Sequence, residues 1–146
     1  MKQPQRQSGF TLIEIMVVMV ILGLLVAIVA PNIMGRSDEA RVTTAKTQLA
    51  NIENALKLYK LDNGQYPSTE QGLKALVEKP SGYPEPKNWN EGGYLDQVPQ
   101  DPWGNQFQYI SPGLQGPYDL YSYGADGREG GKGLDADLSV HDVEQN

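Results

Sequence analysis

Two places in this 146-residue sequence put charged oxygen where chemistry could use it. One is the run Asp126-Gly127-Arg128-Glu129-Gly130-Gly131-Lys132-Gly133-Leu134-Asp135-Ala136-Asp137, where acids alternate with glycines that let the chain curl. Calcium takes about six to eight oxygens, backbone carbonyls included, so such a run can supply a cation site. Asp135 and Asp137 are two apart and point the same way in an extended segment. The run is not an EF-hand, because Arg128 stands where the second ligand should be. Solvated acidic turns have the same composition, and composition alone leaves both readings open. The other place is Glu14, an acid one helical turn into an apolar stretch. A carboxylate in hydrocarbon costs roughly 2.5–3.5 kcal/mol or more, which makes it either a functional group or a residue tolerated at the headgroups.

Other chemistries find no support. Zero cysteines exclude a disulfide framework, a zinc-thiolate site, an iron–sulfur cluster and a cysteine nucleophile. A net charge of −6 argues against a nucleic-acid binder. There is no phosphate loop, nucleophile elbow or metal-hydrolase spacing, and the lone His141 falls in an expected flexible tail. The chain reads as no enzyme, with a tethered hydrolase built on Asp126 and Asp137 as the formal exception.

The elements that must position these acids follow from hydropathy. Residues 10–30 hold 18 of the hydrophobic residues in only 21 positions, with Thr11, Glu14 and Gly23 as the exceptions. At about 1.5 Å per residue that run spans roughly 30 Å, one hydrocarbon thickness. It is longer than the apolar core of a signal peptide and ends in Val29-Ala30-Pro31-Asn32 without a clear cleavage site, so it reads as a membrane span. Lys2 and Arg6 precede it and Arg36 and Arg41 follow it; the short N-terminal tail favours N-in, C-out. Pro31 and Gly35 mark 31–36 as a weak or bent point. Beyond it, Val42, Ala45, Leu49, Ile52, Leu56 and Tyr59 form an apolar helical stripe, a core face, and Asn63-Gly64 stops the helix near residue 62.

The rest of the chain has a different grammar, with 13 of the 16 glycines and 8 of the 10 prolines lying beyond residue 63. Ser68-Thr69-Glu70-Gln71 fits a capping box opening a short helix through about Glu78, and residues 79–86 read as a loop. Asp101-Pro102-Trp103-Gly104-Asn105 reads as a turn; 106–111 and 118–123 read as strands about a Pro112-Gly113 turn. A small antiparallel sheet laid on the amphipathic helix is the economical α+β fold, with Trp89, Trp103 and the tyrosines supplying core area.

Ser8-Gly9-Phe10-Thr11-Leu12-Ile13-Glu14 resembles the leader junction of type IV pilins and type II secretion pseudopilins: a short basic leader ending in Gly, then Phe-Thr-Leu-x-Glu opening an apolar helix. Tyr66-Pro67-Ser68-Thr69-Glu70-Gln71-Gly72-Leu73, Pro99-Gln100-Asp101-Pro102-Trp103-Gly104 and Gly124-Ala125-Asp126-Gly127 resemble, more narrowly, the major pseudopilins of type II secretion, the G-type subunits. The resemblance implies a type IV pilin-like fold. Residues 1–9 are a leader removed by a prepilin peptidase, 10–30 a membrane and assembly helix, 31–62 an amphipathic helix, and 63–146 a periplasmic head. Cleavage falls after Gly9, Phe10 becomes the N-methylated first residue, and the cut takes Lys2 and Arg6 with it.

The resemblance also gives both acidic places a role. Glu14 neutralises the N-terminus of a neighbouring subunit as subunits stack. Calcium is the implied cofactor, in a loop of about 123–137, with Asp126, Asp137 and, less firmly matched, Asp135 as ligands, joined by backbone carbonyls near Tyr123 and Arg128. The implied partners are further copies in a helical homopolymer, minor pseudopilins, the prepilin peptidase, the inner membrane, an assembly platform with its ATPase, and secreted exoproteins. The place of action is the bacterial inner membrane and a periplasmic pseudopilus. The alternatives are a type IV pilin or competence-type pseudopilin and, from another class, a signal-anchored periplasmic binding module. The pattern departs at Leu138-Ser139-Val140-His141, where relatives often read Ile-Gly-Asn-Trp; that leaves open how the last ten residues pack and whether Asp135 or its neighbour is the second acid.

Overall fold

The fold is described from a computed structural model over residues 9–114 and 116–143, with the side chains of 29–35, 142 and 143 left aside. The chain divides into two units, Met1–Asp38 and Glu39–Asn146. One helix, α1 (Leu12–Asn63), contributes to both. It stays helical through Pro31 and Gly35, where the sequence predicts a weak point. Proline removes a single hydrogen bond, and the turns on either side keep theirs.

Within the second unit α1 follows the predicted stripe. Ala45, Leu49, Ile52, Ala55, Leu56 and Tyr59 are buried and form one wall of the core. The helix ends on Asn63, with Gly64 at φ 82° and its amide bonded to the Lys60 carbonyl at 2.7 Å. That left-handed residue lets the chain turn back without a Cβ penalty.

The predicted short helix through Glu78 is not an α-helix. The capping box forms in both directions: Gln71 N donates to Ser68 Oγ at 3.2 Å, and Ser68 N to Gln71 Oε1 at 3.1 Å. Gly72 then takes φ 59° and ψ −167°, which no α-helix accommodates, and only a 3₁₀ turn, Leu73–Leu76, follows. Its Leu73, Ala75 and Leu76 face the core.

The sheet has three antiparallel strands in the order β1 (Gln108–Ile110), β2 (Asp119–Ser122) and β3 (Leu138–Ser139). Tyr109 sits opposite Leu120, and Ser122 opposite Leu138. β1 and β2 lie inside the predicted strands. β3 and the short helix α2 (Val140–Val143) were not predicted, and they replace the expected flexible tail. Val140 is 2% exposed and joins the core with Phe107, Tyr109, Tyr118 and Leu120. His141 donates its amide to Ser139 Oγ at 3.2 Å. Residues 144–146 lie outside the described part.

The aromatic side chains do much of the filling. Tyr66 packs on Tyr118 with ring centroids 4.7 Å apart, and Trp89 donates Nε1 to the Ala75 carbonyl at 2.9 Å. Trp103, expected in the core, is instead only partly buried in its turn and outside that cluster. The sheet makes residues 123–137 the connection from β2 to β3, so both roots of the acidic loop are fixed by strand pairing.

Candidate functional site

At the N-terminal end Gly9 and Phe10 precede the helix in non-helical backbone, both exposed. Phe10 is 82% exposed, and no heavy atom lies within 4 Å of a Cβ built on Gly9. Among the described residues, none packs against the Gly9 position. Most of the proposed leader lies outside the described residues.

Thr11 and Glu14 form a capping box. Glu14 N donates to Thr11 Oγ1 at 3.3 Å, and Thr11 N donates to Glu14 Oε2 at 3.4 Å. The signal for it, Thr-x-x-Glu ahead of an apolar run, stands in the sequence. The carboxylate is thereby held at the positive end of the α1 dipole. The one bond to the carboxylate is long, at 3.4 Å, so the carboxylate is loosely tied and a cation could claim it.

From Leu12 to Ile28 the large apolar side chains are about half exposed or more, from Val18 at 49% to Leu12 at 79%. No helix among the described residues is long and apolar enough to cross a membrane. The described side chains of this stretch end at Ile28, and the predicted span to residue 30 runs into positions outside that description.

At the other end, the acidic loop is shaped by backbone hydrogen bonds and glycines. Ala125 N donates to the Leu134 carbonyl at 2.9 Å. A Cβ on Gly124 (φ 73°) would stand 2.7 Å from the Ala136 oxygen and 2.8 Å from the Leu134 oxygen. Two carbonyls thus crowd one backbone position, and no side chain fits there. Arg128 N donates to Asp126 Oδ1 at 3.0 Å, and Gly130 N to Asp137 Oδ2 at 3.1 Å. The second oxygen of Asp137, Oδ1, is buried with no hydrogen-bond partner among the described residues.

Asp126 and Asp135 are exposed, and Asp137 is half-buried. Among the described residues no three His, Asp or Glu side chains gather in a cluster that could hold a metal. Asp126, Asp135 and Asp137 are therefore not drawn together; two of them satisfy local amides instead. The fit to a cation rests on the Asp137 oxygen that has no donor, together with the carbonyls converging at Gly124. Arg128 enters through its amide, and Tyr123 through its ring, 5.3 Å from that of Tyr121. The hydrogen bond to Tyr123, then burial, pushes the Tyr121 hydroxyl up to about 12. Asn105 and Ser122 bond to Gly124 of this loop, and Asp101 bonds to Ser122; the sequence marks them only as parts of a turn and a strand.

The family model for type II secretion system protein G matches residues 32–141, and the prokaryotic N-terminal methylation motif matches residues 4–30. The type II secretion system core protein G of Pseudomonas aeruginosa is 61% identical over 140 residues, covering 96% of this chain and 99% of that protein. That of Vibrio cholerae is 51% identical over 144 residues, covering 99% and 98%. The crystal structure of the major pseudopilin from the type 2 secretion system of enterohaemorrhagic Escherichia coli aligns with a TM-score of 0.64 at 43% identity, over 75% of this chain and 93% of that one. The chain belongs to the type II secretion system protein G family, the major pseudopilins of that system.

Proposed function

We propose that this subunit is cut after Gly9, methylated on Phe10 and polymerised through α1 into a periplasmic pseudopilus, whose growth helps move folded exoproteins across the outer membrane. The observation that carries the reading is the exposed apolar surface of Leu12–Ile28 on a helix whose first turn holds one carboxylate. Water does not tolerate a surface of that extent, so lipid covers it before assembly and neighbouring copies cover it afterwards. Taken whole, the apolar run of 10–30 suffices to hold the precursor in the inner membrane, with the head in the periplasm.

Glu14 sets the register. Cleavage creates a positive amine at Phe10, four residues from Glu14, and a neighbour's amine can replace the weak Thr11 amide as its partner. The first use of the carboxylate, capping its own helix, thus keeps it satisfied until a neighbour arrives. Minor pseudopilins would join the same helical array, and an assembly platform with its ATPase would supply the work. The subunit's own part is mechanical rather than catalytic.

Calcium is the proposed cofactor of the 123–137 loop. Asp137 would hold it through the oxygen that has no donor, with Asp126 and Asp135 moving in from their present places and carbonyls near Tyr123 and Arg128 completing the set; its charge would offset the acids and pin a loop poor in apolar side chains.

Mapping the mature N-terminus tests the central reading. Sequencing and mass analysis of the chain from membranes should find methylated Phe10 first. A start after Ala30, or an uncut chain in a strain with an active peptidase, would point to a signal-anchored binding module instead.

A further inference from the structure

We propose that the Asp101–Asn105 turn is a clasp on the root of the 123–137 loop, and that it sets the loop's order and cation affinity without touching the cation. The affinity half rests on the calcium reading above; the clasp itself does not.

Asp101 is a buried carboxylate, 4% exposed. Such a group is tolerated only when its lone pairs are filled. Oδ1 accepts from two amides of its own turn, Asn105 N at 2.8 Å and Trp103 N at 3.1 Å. Oδ2 accepts from Ser122 Oγ at 2.6 Å, the shortest of the three bonds and the one that leaves the turn. A carboxylate serving only its own turn would have no such bond.

Ser122 relays the constraint. It is fully buried at the end of β2, and its Oγ accepts from Gly124 N at 3.1 Å while donating to Asp101. Asn105 closes the clasp from the other side: its Nδ2 donates to the Gly124 carbonyl at 3.2 Å. A Cβ on Gly127 (φ 66°) would come within 3.0 Å of Asn105 Oδ1, so that amide also lies against the next turn of the loop. The Gly124 carbonyl is therefore held by the turn directly, and its amide through Ser122, which Asp101 of the turn fixes. Gly124 is the position that the Leu134 and Ala136 carbonyls approach. Fixing it fixes where those oxygens and the root of the acidic loop stand.

The test uses the detergent-solubilised full chain, with Asn105→Ala and Ser122→Ala each removing one arm while leaving the Asp101 turn amides in place. Asn90→Ala is the control, since it removes the bonds to Gly93 O at 2.9 Å and from Gly92 N at 3.3 Å in a different loop. Hydrogen exchange is followed in EDTA, and calcium is titrated calorimetrically. Both clasp variants should exchange faster across 123–137 with no change across 88–95, and should bind calcium about tenfold more weakly, the scale of one lost hydrogen bond. Asn90→Ala should leave loop exchange and calcium affinity as they are. Exchange across 123–137 equal to the unsubstituted chain in both variants overturns the clasp. Faster exchange with unaltered calcium affinity overturns the link to the cation. An unsubstituted chain that takes up no calcium overturns the calcium reading instead, and exchange alone still decides the clasp.

Discussion

The two halves of α1 carry similar apolar side chains to opposite ends. Leu49, Ile52 and Leu56 are fully buried against the sheet and the 3₁₀ turn, whereas Ile13, Leu24 and Ile28 are 62–70% exposed. Burial of a leucine or isoleucine contributes roughly 1.5–3 kcal/mol, so the second half stabilises its own subunit. Among the described residues, the large apolar side chains of the first half gain no such burial from their own chain. On the proposed reading, that hydrophobicity is directed at a lipid or at another copy. Within one unbroken helix, the same residue types serve folding in one half and, as proposed, association in the other.

The largest test of that division is Glu14→Gln. Once a neighbour's amine replaces the Thr11 amide, loss of the charge leaves the amine in an apolar seam. Breaking such a pair costs about 3–5 kcal/mol, so filament yield should fall by about a hundredfold or more. The head's melting curve should not move. Sedimented filament measured against total membrane-bound subunit gives the ratio. Assembly at the normal level would remove the assembly role and leave Glu14 as a helix cap.

A smaller effect comes from truncating the same side chain in each half. Leu56→Ala opens a cavity in a fully buried site and should destabilise the head by about 2–5 kcal/mol. Leu22, 52% exposed, should tolerate the change within about 0.5 kcal/mol. Thermal melting of the detergent-held chain reads both. Equal losses would mean that the first half folds against something within its own subunit.

Much of this division was legible from spacing alone. Five of the six stripe positions, Ala45 to Tyr59, are buried, and Asn63-Gly64 ends the helix. Those features are local, and local pattern is what a sequence carries best. Ser68–Gln71 announces its cap by residue type, but the helix expected behind it does not form, because one glycine at positive φ decides the continuation. β3 is two residues long and exists only because β2 pairs with it, so no periodicity could announce it. The Asp101–Ser122 bond is likewise non-local: both residues looked like parts of turn and strand, and only the fold brings them within 2.6 Å. The acidic loop stood out in composition, yet its acids are held by neighbouring amides rather than by one another.

Calcium removal sharpens the contrast from the head's side. A ligand that binds only the folded loop, present at a hundred times its Kd, stabilises by about 2.7 kcal/mol. EDTA should therefore lower the head's melting temperature and expose 126–135 to protease while leaving Glu14-dependent association of the helices as an independent term. An unchanged melting curve and protease pattern would mean that backbone bonds such as Ala125 N to Leu134 O suffice to hold the loop.

The smallest expected effect is alkaline. Burial pushes the Tyr109 hydroxyl up to about 12, and its proton goes to the Pro67 carbonyl at 2.8 Å. Below pH 10, the ordinary value, the group is protonated folded or unfolded, and its contribution is complete. Between pH 10 and about 12 the unfolded chain releases the proton and the folded head keeps it, so stability falls as pH rises. Tyr109→Phe should make that fall shallower but not flat. The Tyr121 hydroxyl rises through its bond to Tyr123, and burial raises those of Tyr59 and Tyr94. Residues 10–30 contain no tyrosine, but the Phe10 amine of the proposed register also loses its charge in alkali, so filament association should fall on a slope of its own rather than on this one. Melting and sedimentation measured in parallel from pH 9 to 12 would separate the two. A common alkaline midpoint would show that the head's core and the helix seam are coupled after all.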